Sequence, residues 1–406
     1  MQPLEGIRVL DFSRHMAGAY GTVLLSDYGA DVIKIESLPN GDPSRNTGTA
    51  YVEDVSGLFL IWNRGKRSVA LDLRKPEALE VIYELAKTCD VVVENYRPGI
   101  VDKIGVSYEQ LSKINDQLIY VSVSAFGQEG PWAGAPGTDP VVQAMSGVMS
   151  VTGEADGEPL YVGVPIADFT GSQVQAQAVL LGLLARQKTG KGQKIDVSML
   201  YALMSSLTTR LASYWYGGEE PTRHGNAHSV SAPYQAFETS DGWVVAGAWG
   251  GEGDSWSRFC RAVGRTDLLE DPRFTTNVDR VRNRKDLSDI LDAEFVKKTT
   301  AEWRELFNAE KALFGPILTI PQAIEQEQAK VGNLVTMVEH PQLGSIPMMR
   351  PVIDLHETPG SIKAPPPLLG QHSVEVLGEI GYARDEIERL IAGGILGVPA
   401  ETTSSV

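Results

Sequence analysis

The fold is decided by residues 7–36, IRVLDFSRHMAGAYGTVLLSDYGADVIKIE, where two apolar runs flank a stretch of small residues. The runs at 7–12 and 30–36 are rich in Val and Ile, so they predict buried β-strands. Residues 22–28 predict a helix between the two strands. A strand, a helix and a second strand in this order are typical of a parallel sheet that is covered by helices.

The same alternation continues as far as residue 124. Apolar runs at 68–73, 90–95 and 118–124 predict three more strands, and residues 76–88 predict a helix that begins with a proline. Proline is tolerated there because the first N–H of a helix has no intrahelical partner. We therefore predict a Rossmann-like α/β domain with a parallel sheet. Ligands of such sheets bind at the carboxyl ends of the strands.

The second half of the chain changes character at residues 217–221, GGEEP. Residues 233–248 then predict a hairpin that turns at Ser240-Asp241-Gly242, and helical patterns follow the hairpin. These features predict a smaller α+β domain after the first one. The predicted segments are 1–216, the small domain at 225–330 and a C-terminal part at 335–406.

The composition excludes several classes of protein. The 406 residues are 42% hydrophobic and 22% charged, which is ordinary for a globular protein and rules out a disordered or collagen-like chain. The formal net charge is −16, so the chain should repel nucleic acid and anionic membranes. A local cluster of basic residues can still bind a small anion, because charges act within a Debye length.

Cysteine, histidine and hydropathy patterns exclude other sites. Two cysteines, Cys89 and Cys260, offer neither a disulfide framework nor a CxxC metal site, and the histidines lack the spacing of metal ligands. The longest apolar stretch is far shorter than the about 20 residues of a membrane span. The first residues lack the features of a signal peptide, so we expect a cytoplasmic protein.

Residues 16–21, MAGAYG, form the first candidate for ligand binding. They follow a predicted strand and come close to the fingerprint of a dinucleotide-binding loop, and Glu36 ends the next strand. Met16 stands where that fingerprint has its first glycine. The glycines therefore indicate a nicotinamide nucleotide, some other nucleotide, or only close packing between a helix and a strand.

Basic residues around the predicted strands form the second candidate. They are Arg64, Lys66, Arg67, Arg74, Arg97 and Lys103. Such a cluster in an acidic protein indicates an anionic ligand such as a phosphate, unless it is only a solvated face.

Asp168 and the loop at 224–228, HGNAH, complete the candidates. Asp168 comes just before a predicted helix, so it is either the N-cap of that helix or an ionised carboxylate that can act as a nucleophile. Backbone amides at the start of this helix are expected to stabilise developing oxyanions. The loop at 224–228 either lines a pocket or is an ordinary connection.

Eight segments, in this order, resemble the class III CoA-transferases, the family of formyl-CoA transferase and carnitine CoA-transferase. The segments are 3–11, 29–36, 41–43, 63–68, 94–99, 167–168, 188–192 and 368–372. The stretch from His224 to Phe237 looks most similar to transferases that use succinate, glutarate or related dicarboxylates.

The resemblance implies an interlocked dimer of two ring-like chains. In this family the N- and C-terminal segments build one large domain together, and the small domain is inserted between them. Residues 335–406 would therefore join residues 1–216. The resemblance also implies no metal and no tightly bound cofactor, with coenzyme A and acyl-CoA as substrates.

The resemblance also implies the roles of individual residues. It carries the catalytic nucleophile, and with it an aspartyl-CoA intermediate, onto Asp168. The implied CoA contacts are Arg14, His15, Met16, Ala17, Leu71, Asp72, Leu73, Arg74, Asn95, Tyr96, Arg97 and Lys103. The implied acceptor pocket consists of Arg45, Thr138, Gly225 and His228.

Two departures from family patterns bear on the reaction. Met16 replaces a glutamine that is typical of formyl-CoA transferases, which argues against oxalate as the acceptor. The related α-methylacyl-CoA racemases need a Gly-His-Asp triplet, and this chain has Gly137-Thr138-Asp139. A threonine hydroxyl is a poor acid or base near neutral pH. We therefore expect CoA transfer, and racemisation is the alternative.

Overall fold

The structure of the chain, a computed structural model, describes residues 1–249 and 253–399. Within these ranges the chain forms fourteen β-strands and seventeen α-helices. The strands are β1 Arg8–Asp11, β2 Asp31–Ser37, β3 Tyr51–Val52, β4 Val55–Ser56, β5 Lys66–Leu71, β6 Val91–Glu94, β7 Ile119–Ser124, β8 Gln193–Ser198, β9 Tyr234–Glu238, β10 Trp243–Gly247, β11 Leu313–Pro316, β12 Val335–His340, β13 Gly344–Met349 and β14 Leu396–Gly397.

The helices follow the same chain order. They are α1 His15–Asp27, α2 Gly57–Trp62, α3 Pro76–Thr88, α4 Ile100–Ile104, α5 Tyr108–Leu111, α6 Asp139–Ser146, α7 Ile166–Thr189, α8 Met199–Met204, α9 Thr208–Gly217, α10 Ser255–Val263, α11 Asn277–Arg282, α12 Arg284–Phe295, α13 Thr300–Glu310, α14 Ile320–Glu325, α15 Glu327–Val331, α16 Ser373–Glu379 and α17 Arg384–Ala392. None of these helices is both long enough and apolar enough to cross a membrane.

The chain divides into two compact units. The large unit comprises Met1–Val148, Tyr161–Leu211 and Val331–Val406, and the small unit comprises Met149–Leu160 and Ala212–Lys330. Residues 149–160, far upstream of the predicted small domain, thus belong to the small unit. The predicted bounds concern parts of the chain that fold independently, and they stay a prediction.

The large unit is built on a seven-stranded sheet, which confirms the predicted α/β fold. The strand order is β14-β5-β2-β1-β6-β7-β8. All neighbours are parallel except β14, which pairs antiparallel with β5 through Leu396 and Leu71. This edge strand was not predicted, because two residues are too few to show a periodic pattern.

Both faces of this sheet are covered, which explains the near-continuous apolar runs in its strands. Val9 of β1 lies in the core between the sheet and helices α1 and α7. Its neighbour Leu10 points to the opposite face, where α3, α16 and α17 supply the core. Both side chains are fully buried.

The strand order reverses direction at β1. The chain places β2 and β5 on one side of β1 and places β6, β7 and β8 on the other side. In such sheets a crevice opens at the carboxyl ends of the strands where the order reverses. Here the segments at that point are residues 12–14, after β1, and residues 95–99, after β6.

The prediction of a glycine-rich loop at 16–21 is wrong, since α1 begins at His15 and includes these residues. A Cβ atom on Gly21 would lie 2.7 Å from the Gln175 side chain and 2.8 Å from the Ser172 carbonyl oxygen of α7. Gly21 therefore allows close packing against a helix, whereas Gly18 lies close to Ser13 and Asn95, in the segments that follow β1 and β6. The stretch does not form the loop that a dinucleotide fingerprint requires.

The small unit has a three-stranded antiparallel sheet in the order β11-β10-β9. The predicted hairpin is confirmed, because β9 and β10 pair through Glu238 and Trp243 on either side of the predicted turn. Aromatic side chains dominate the core of this unit. Phe237 and Phe295 stack with their ring centroids 4.2 Å apart.

Candidate active site

A cavity of about 330 Å³ opens in the large unit. Many of the residues that line it were predicted from the sequence: Arg14, His15, Ala17, Asn95, Tyr96, Arg97, Thr138 and Asp168. The others are Trp62, Pro98, Val123, Ser124, Ala125, Ala133, Ala135, Gly137, Asp139 and Met199. The cavity thus lies at the carboxyl edge of the sheet, beside the segments that follow β1 and β6.

Other predicted site residues lie elsewhere. Met16 is buried within α1, and Leu71 is buried at the end of β5. The remaining predicted contacts of the large unit that do not line this cavity are Asp72, Leu73, Arg74, Lys103 and Arg45. Gly225 and His228 belong to the small unit. The roles proposed for all these residues stay predictions.

Two arginines of the predicted basic cluster, Arg64 and Arg67, are paired with carboxylates on the side of the sheet away from the cavity. Arg64 pairs with Asp27 at 2.6 Å, and both side chains are buried. Arg67 bridges Asp31 and Glu379 at 2.6 Å each. The reason is geometric, because Arg64 and Arg67 lie at the amino end of β5, opposite the carboxyl edge.

Arg45 is also paired with a carboxylate. Its guanidinium donates hydrogen bonds to both carboxylate oxygens of Glu36, each at 2.7 Å. The guanidinium carbon also lies 3.7 Å from the ring centroid of Phe59. A bidentate pair of this kind leaves few N–H donors of Arg45 free to bind the carboxylate of an acceptor acid.

The segment that carries Arg14 into the cavity is held by the half-buried Asn95 and by the buried side chains of Lys34 and Asp42. The side-chain amide of Asn95 accepts from the Arg14 backbone N–H at 2.8 Å and donates to the Arg14 carbonyl at 2.7 Å. Lys34 donates to the Ser13 carbonyl at 2.7 Å. Asp42, which pairs with Lys34 at 2.8 Å, accepts from the His15 N–H at 3.2 Å.

These contacts fix an unusual backbone. His15 has φ +54°, which residues other than glycine seldom adopt. Partial burial lowers the pKa of the His15 imidazole, although the Asp42 carboxylate opposes this shift. His15 is therefore mostly neutral near pH 7.

Asp168 lies in the first turn of α7 and is not its N-cap. The N-cap position is occupied by Pro165, whose side chain cannot accept a hydrogen bond. Asp139 takes over the capping role, because its Oδ2 accepts from the N–H of Ala167 at 2.7 Å and from the N–H of Asp168 at 3.1 Å. The N-cap interpretation of Asp168 is wrong for this reason.

The same contacts change the expected oxyanion site. Two of the amides at the start of α7 are already bound by Asp139, so these two do not stabilise an oxyanion as expected. Asp139 is itself held by Gln143, whose Nε2 donates to Oδ1 at 2.5 Å and whose Oε1 accepts from Val162 at 2.9 Å. Sequence reasoning missed this capping role, since its partners lie 28 and 29 residues further along the chain.

Comparison with known proteins decides the family. The sequence model of CoA-transferase family III matches residues 4–373. The chain belongs to this family. It is therefore an enzyme, a class III CoA-transferase, as its resemblance to the family implied.

Individual relatives cover nearly the whole CoA-transferase. Succinyl-CoA:glutarate CoA-transferase of Mus musculus is 39% identical over 98% of this chain and 91% of the mouse protein. Succinate–glutarate CoA-transferase of Agrobacterium fabrum is 35% identical over 93% of this chain and 96% of that protein. Acetyl-CoA:oxalate CoA-transferase of Acetobacter aceti is 36% identical over 89% of this chain and 92% of that protein.

Solved structures of similar proteins have the same fold as the CoA-transferase. A CaiB/BaiF family protein from Brucella suis has a TM-score of 0.83 and 34% identity, covering 93% of this chain and 99% of that one. The Rv3272 protein of Mycobacterium tuberculosis has a TM-score of 0.81 and 31% identity, covering 92% and 98%.

Asp168 is the most perturbed carboxyl group that lines the cavity of the CoA-transferase. Burial and, to a smaller extent, the negative charge of Asp139 together raise the pKa of Asp168 to about 7. Perturbed carboxyl groups in cavities are typical of functional sites. The sequence predicted Asp168 as an ionised carboxylate but not its raised pKa, because that shift depends on burial and on a neighbour that only the fold brings close.

A second carboxyl group with a raised pKa lies just behind the cavity wall. Burial raises the pKa of Glu94 to about 7, although hydrogen bonds from Ser122 and from the Tyr96 N–H oppose the shift. Glu94 accepts from the Tyr96 N–H at 2.8 Å. It supports the cavity wall from behind and does not line the cavity.

The two cysteines of the CoA-transferase are unsuited to act as nucleophiles. Both are buried, and burial raises the pKa of each thiol to about 12. Thiolate, which is the reactive form, is therefore scarce at neutral pH. Within residues 1–249 and 253–399, no group of three or more His, Cys, Asp or Glu side chains is arranged to hold a metal ion.

Proposed function

We propose that this enzyme moves CoA from an acyl-CoA thioester to a carboxylic acid, with Asp168 as the nucleophile. One observation carries the proposal: the Asp168 carboxylate lines the cavity at the carboxyl edge of the sheet, beside a second carboxylate. The family membership of the chain supports the reaction type, and the geometry of Asp168 supports the choice of residue.

The reaction proceeds through two kinds of acyl intermediate. An Asp168 oxygen attacks the thioester carbonyl, the C–S bond breaks, and CoA leaves as a thiolate, so that a mixed anhydride joins the acyl group to Asp168. The thiolate then attacks the Asp168 carbonyl carbon, which forms an aspartyl-CoA thioester and releases the first acid as a carboxylate. The acceptor carboxylate reverses these steps. The activated acyl bond is passed on throughout, so no ATP is required.

Asp139 favours the first of these steps. Asp168 carries its charge beside the Asp139 carboxylate, and this repulsion is one cause of its raised pKa. When Asp168 attacks, its negative charge moves onto the thioester oxygen and away from Asp139, so the repulsion is relieved as the reaction proceeds. A more basic carboxylate is also a better nucleophile.

The names of the relatives support a dicarboxylic acid as a substrate. The mouse and Agrobacterium proteins are named for succinate and glutarate. We propose the same chemical class for this enzyme. The proposal includes no metal and no tightly bound cofactor, and a cytoplasmic location, expected from the sequence, stays a prediction.

We also propose a homodimer, as the family resemblance implies. Large apolar side chains on α7 support it, because Leu181 is 65% exposed and Leu184 is 54% exposed in the single chain. Apolar surface of this kind is typical of an interface.

Trapping the covalent intermediate tests the role of Asp168. The enzyme is incubated with an acyl-CoA and hydroxylamine, and its peptides are mapped by mass spectrometry. We expect a hydroxamate at Asp168 alone, and we expect Asp168→Asn to lose it together with the exchange of CoA between acids. The variant retains the size of the side chain, and circular dichroism checks its fold.

Two outcomes would contradict the proposal. One is a hydroxamate on a different residue while Asp168→Asn stays active. The other is incorporation of solvent deuterium at the α-carbon of the acyl group without any exchange of CoA, which would indicate the racemase alternative.

A further inference from the structure

A dicarboxylic acid that enters the cavity brings its negative charges close to the carboxyl groups of the protein. Asp168 and Asp139 already line the cavity with two carboxyl groups. A diacid adds two more negative charges, one that reacts and one that does not. Like charges in a poorly solvated space repel strongly, so the carboxylate that does not react needs a cationic partner.

Three basic residues line this cavity: Arg14, His15 and Arg97. His15 is mostly neutral, because burial lowers the pKa of its imidazole. The two arginines remain as cations at any working pH. They differ in how firmly the protein holds them.

Arg14 is fixed at its backbone and at its side chain. The Asn95 amide binds both backbone groups of Arg14. The guanidinium carbon of Arg14 lies 4.2 Å from the ring centroid of Tyr96. Arg97 makes no such contact with a ring among the residues that the structure describes.

The position of Arg14 leaves its hydrogen-bond donors free. No acidic side chain within residues 1–249 and 253–399 pairs with its guanidinium, whereas Arg8, Arg45, Arg64, Arg67, Arg74 and Arg186 of the same unit are all paired with carboxylates. Stacking on a ring occupies the face of the guanidinium and leaves its edge available. That edge matches a carboxylate in a bidentate geometry.

We propose that Arg14 determines the specificity of this site by binding the distal carboxylate of a dicarboxylic acid whose other carboxyl group reacts at Asp168. This inference rests on the proposed function. It differs from the role of a CoA contact that the family resemblance implied for Arg14. The size of the cavity supports it, because about 330 Å³ suits a short diacid and the end of the CoA arm but not the phosphates of the nucleotide as well.

The test compares acids that differ only at the distal end. Glutarate and pentanoate have the same number of carbon atoms, and so do succinate and butyrate. With butyryl-CoA as the donor, no distal carboxylate comes from the donor side. We expect the wild-type enzyme to prefer glutarate to pentanoate as the acceptor.

Arg14→Gln should remove this preference. We expect kcat/KM for glutarate to fall about 100-fold, as the loss of a charge-assisted bidentate contact implies. The value for pentanoate and the KM for butyryl-CoA should change less than threefold. Arg14→Lys, which retains a charge but not the bidentate fork, should lie between the wild type and Arg14→Gln.

Arg97→Gln is the matched control in the same cavity. It should leave the ratio of glutarate to pentanoate activity at the wild-type value, whatever it does to the KM for butyryl-CoA. An equal loss for both acids in Arg14→Gln, with a raised KM for butyryl-CoA, would overturn the inference and restore Arg14 as a CoA contact.

Failure of the inference and failure of the proposed function look different. If the wild-type enzyme exchanges CoA in an Asp168-dependent manner but Arg14→Gln keeps the preference for glutarate, only the inference about Arg14 is wrong. If Asp168→Asn still exchanges CoA between acids, the proposed function itself is wrong.

Discussion

Asp139 affects Asp168 in two ways that are separable by experiment. Its carboxylate caps α7 through two backbone amides, and its charge raises the pKa of Asp168. Asparagine retains an oxygen that can accept hydrogen bonds from the same amides but carries no charge. The substitution Asp139→Asn therefore removes the electrostatic effect and keeps most of the cap.

Asp139→Asn should shift the pH profile of the enzyme. Asp168 must be ionised to attack, and its pKa is about 7, so kcat/KM for acyl-CoA should rise with pH around 7. Without the like charge, the pKa of Asp168 falls, and the midpoint should move down by about one pH unit. Rates measured from pH 5 to pH 9 check this.

Glu94→Gln is the control for this profile, because the pKa of Glu94 also lies at about 7. Glutamine can still accept a hydrogen bond from the Tyr96 N–H, so the structure of the cavity wall should not change. The midpoint should stay near 7. A midpoint that moves in Glu94→Gln and stays in Asp139→Asn would show that the pH profile reports the titration of Glu94 and not that of Asp168.

At the level of elements, β1, β5 and α1 are joined by a buried ion pair. Lys66 at the start of β5 is fully buried and donates to Asp11 of β1 at 2.9 Å and to the Ala19 carbonyl of α1 at 2.8 Å. Thr22 donates to the same Asp11 oxygen at 2.7 Å. These contacts place α1, whose first residues line the cavity.

Lys66→Met should destabilise the enzyme by about 3–5 kcal/mol, because it removes the cation that forms an ion pair with the buried Asp11 carboxylate. Urea unfolding monitored by circular dichroism gives the free energy of unfolding. The control is Lys87→Met, which breaks an exposed pair with Glu84 and should cost less than about 1 kcal/mol. Similar losses in the two variants would contradict a structural role for Lys66.

The elements differ in how well the sequence predicts them. The central strands were predicted because both faces of the sheet are buried, which requires unbroken apolar runs such as Val91 to Val93. The strand β14 was missed, since it depends on a pairing with residues more than 300 positions away. Long-range partners leave no periodic trace in the chain.

The candidate site shows the same limit. The family resemblance implied that the segments after β1 and after β6 contact the same ligand, and residues of both segments line the cavity. The ion pairs of Arg45 and Arg64 were not predicted. A basic residue beside a strand looks the same in the sequence whether it faces a ligand or a carboxylate.

At the scale of the whole molecule, the proposed homodimer is testable without substrates. Two chains of 44.0 kDa give a mass of about 88 kDa by light scattering. If the chains are interlocked, a tagged and an untagged dimer should not exchange subunits unless they are unfolded. A fully active species with the mass of one chain would contradict the dimer, and fast exchange would contradict the interlocking.

The discontinuity of the large unit has a consequence for how the enzyme is made. Its sheet takes β1 from the beginning of the chain and β14 from residues 396–397, whereas the small unit is nearly complete once residue 330 has been synthesised. A ribosome therefore presents the small unit ready to fold while one edge of the large sheet still lacks its strand. The sheet of the large unit therefore keeps the edge of β5 unpaired until residues 396–397 have been synthesised.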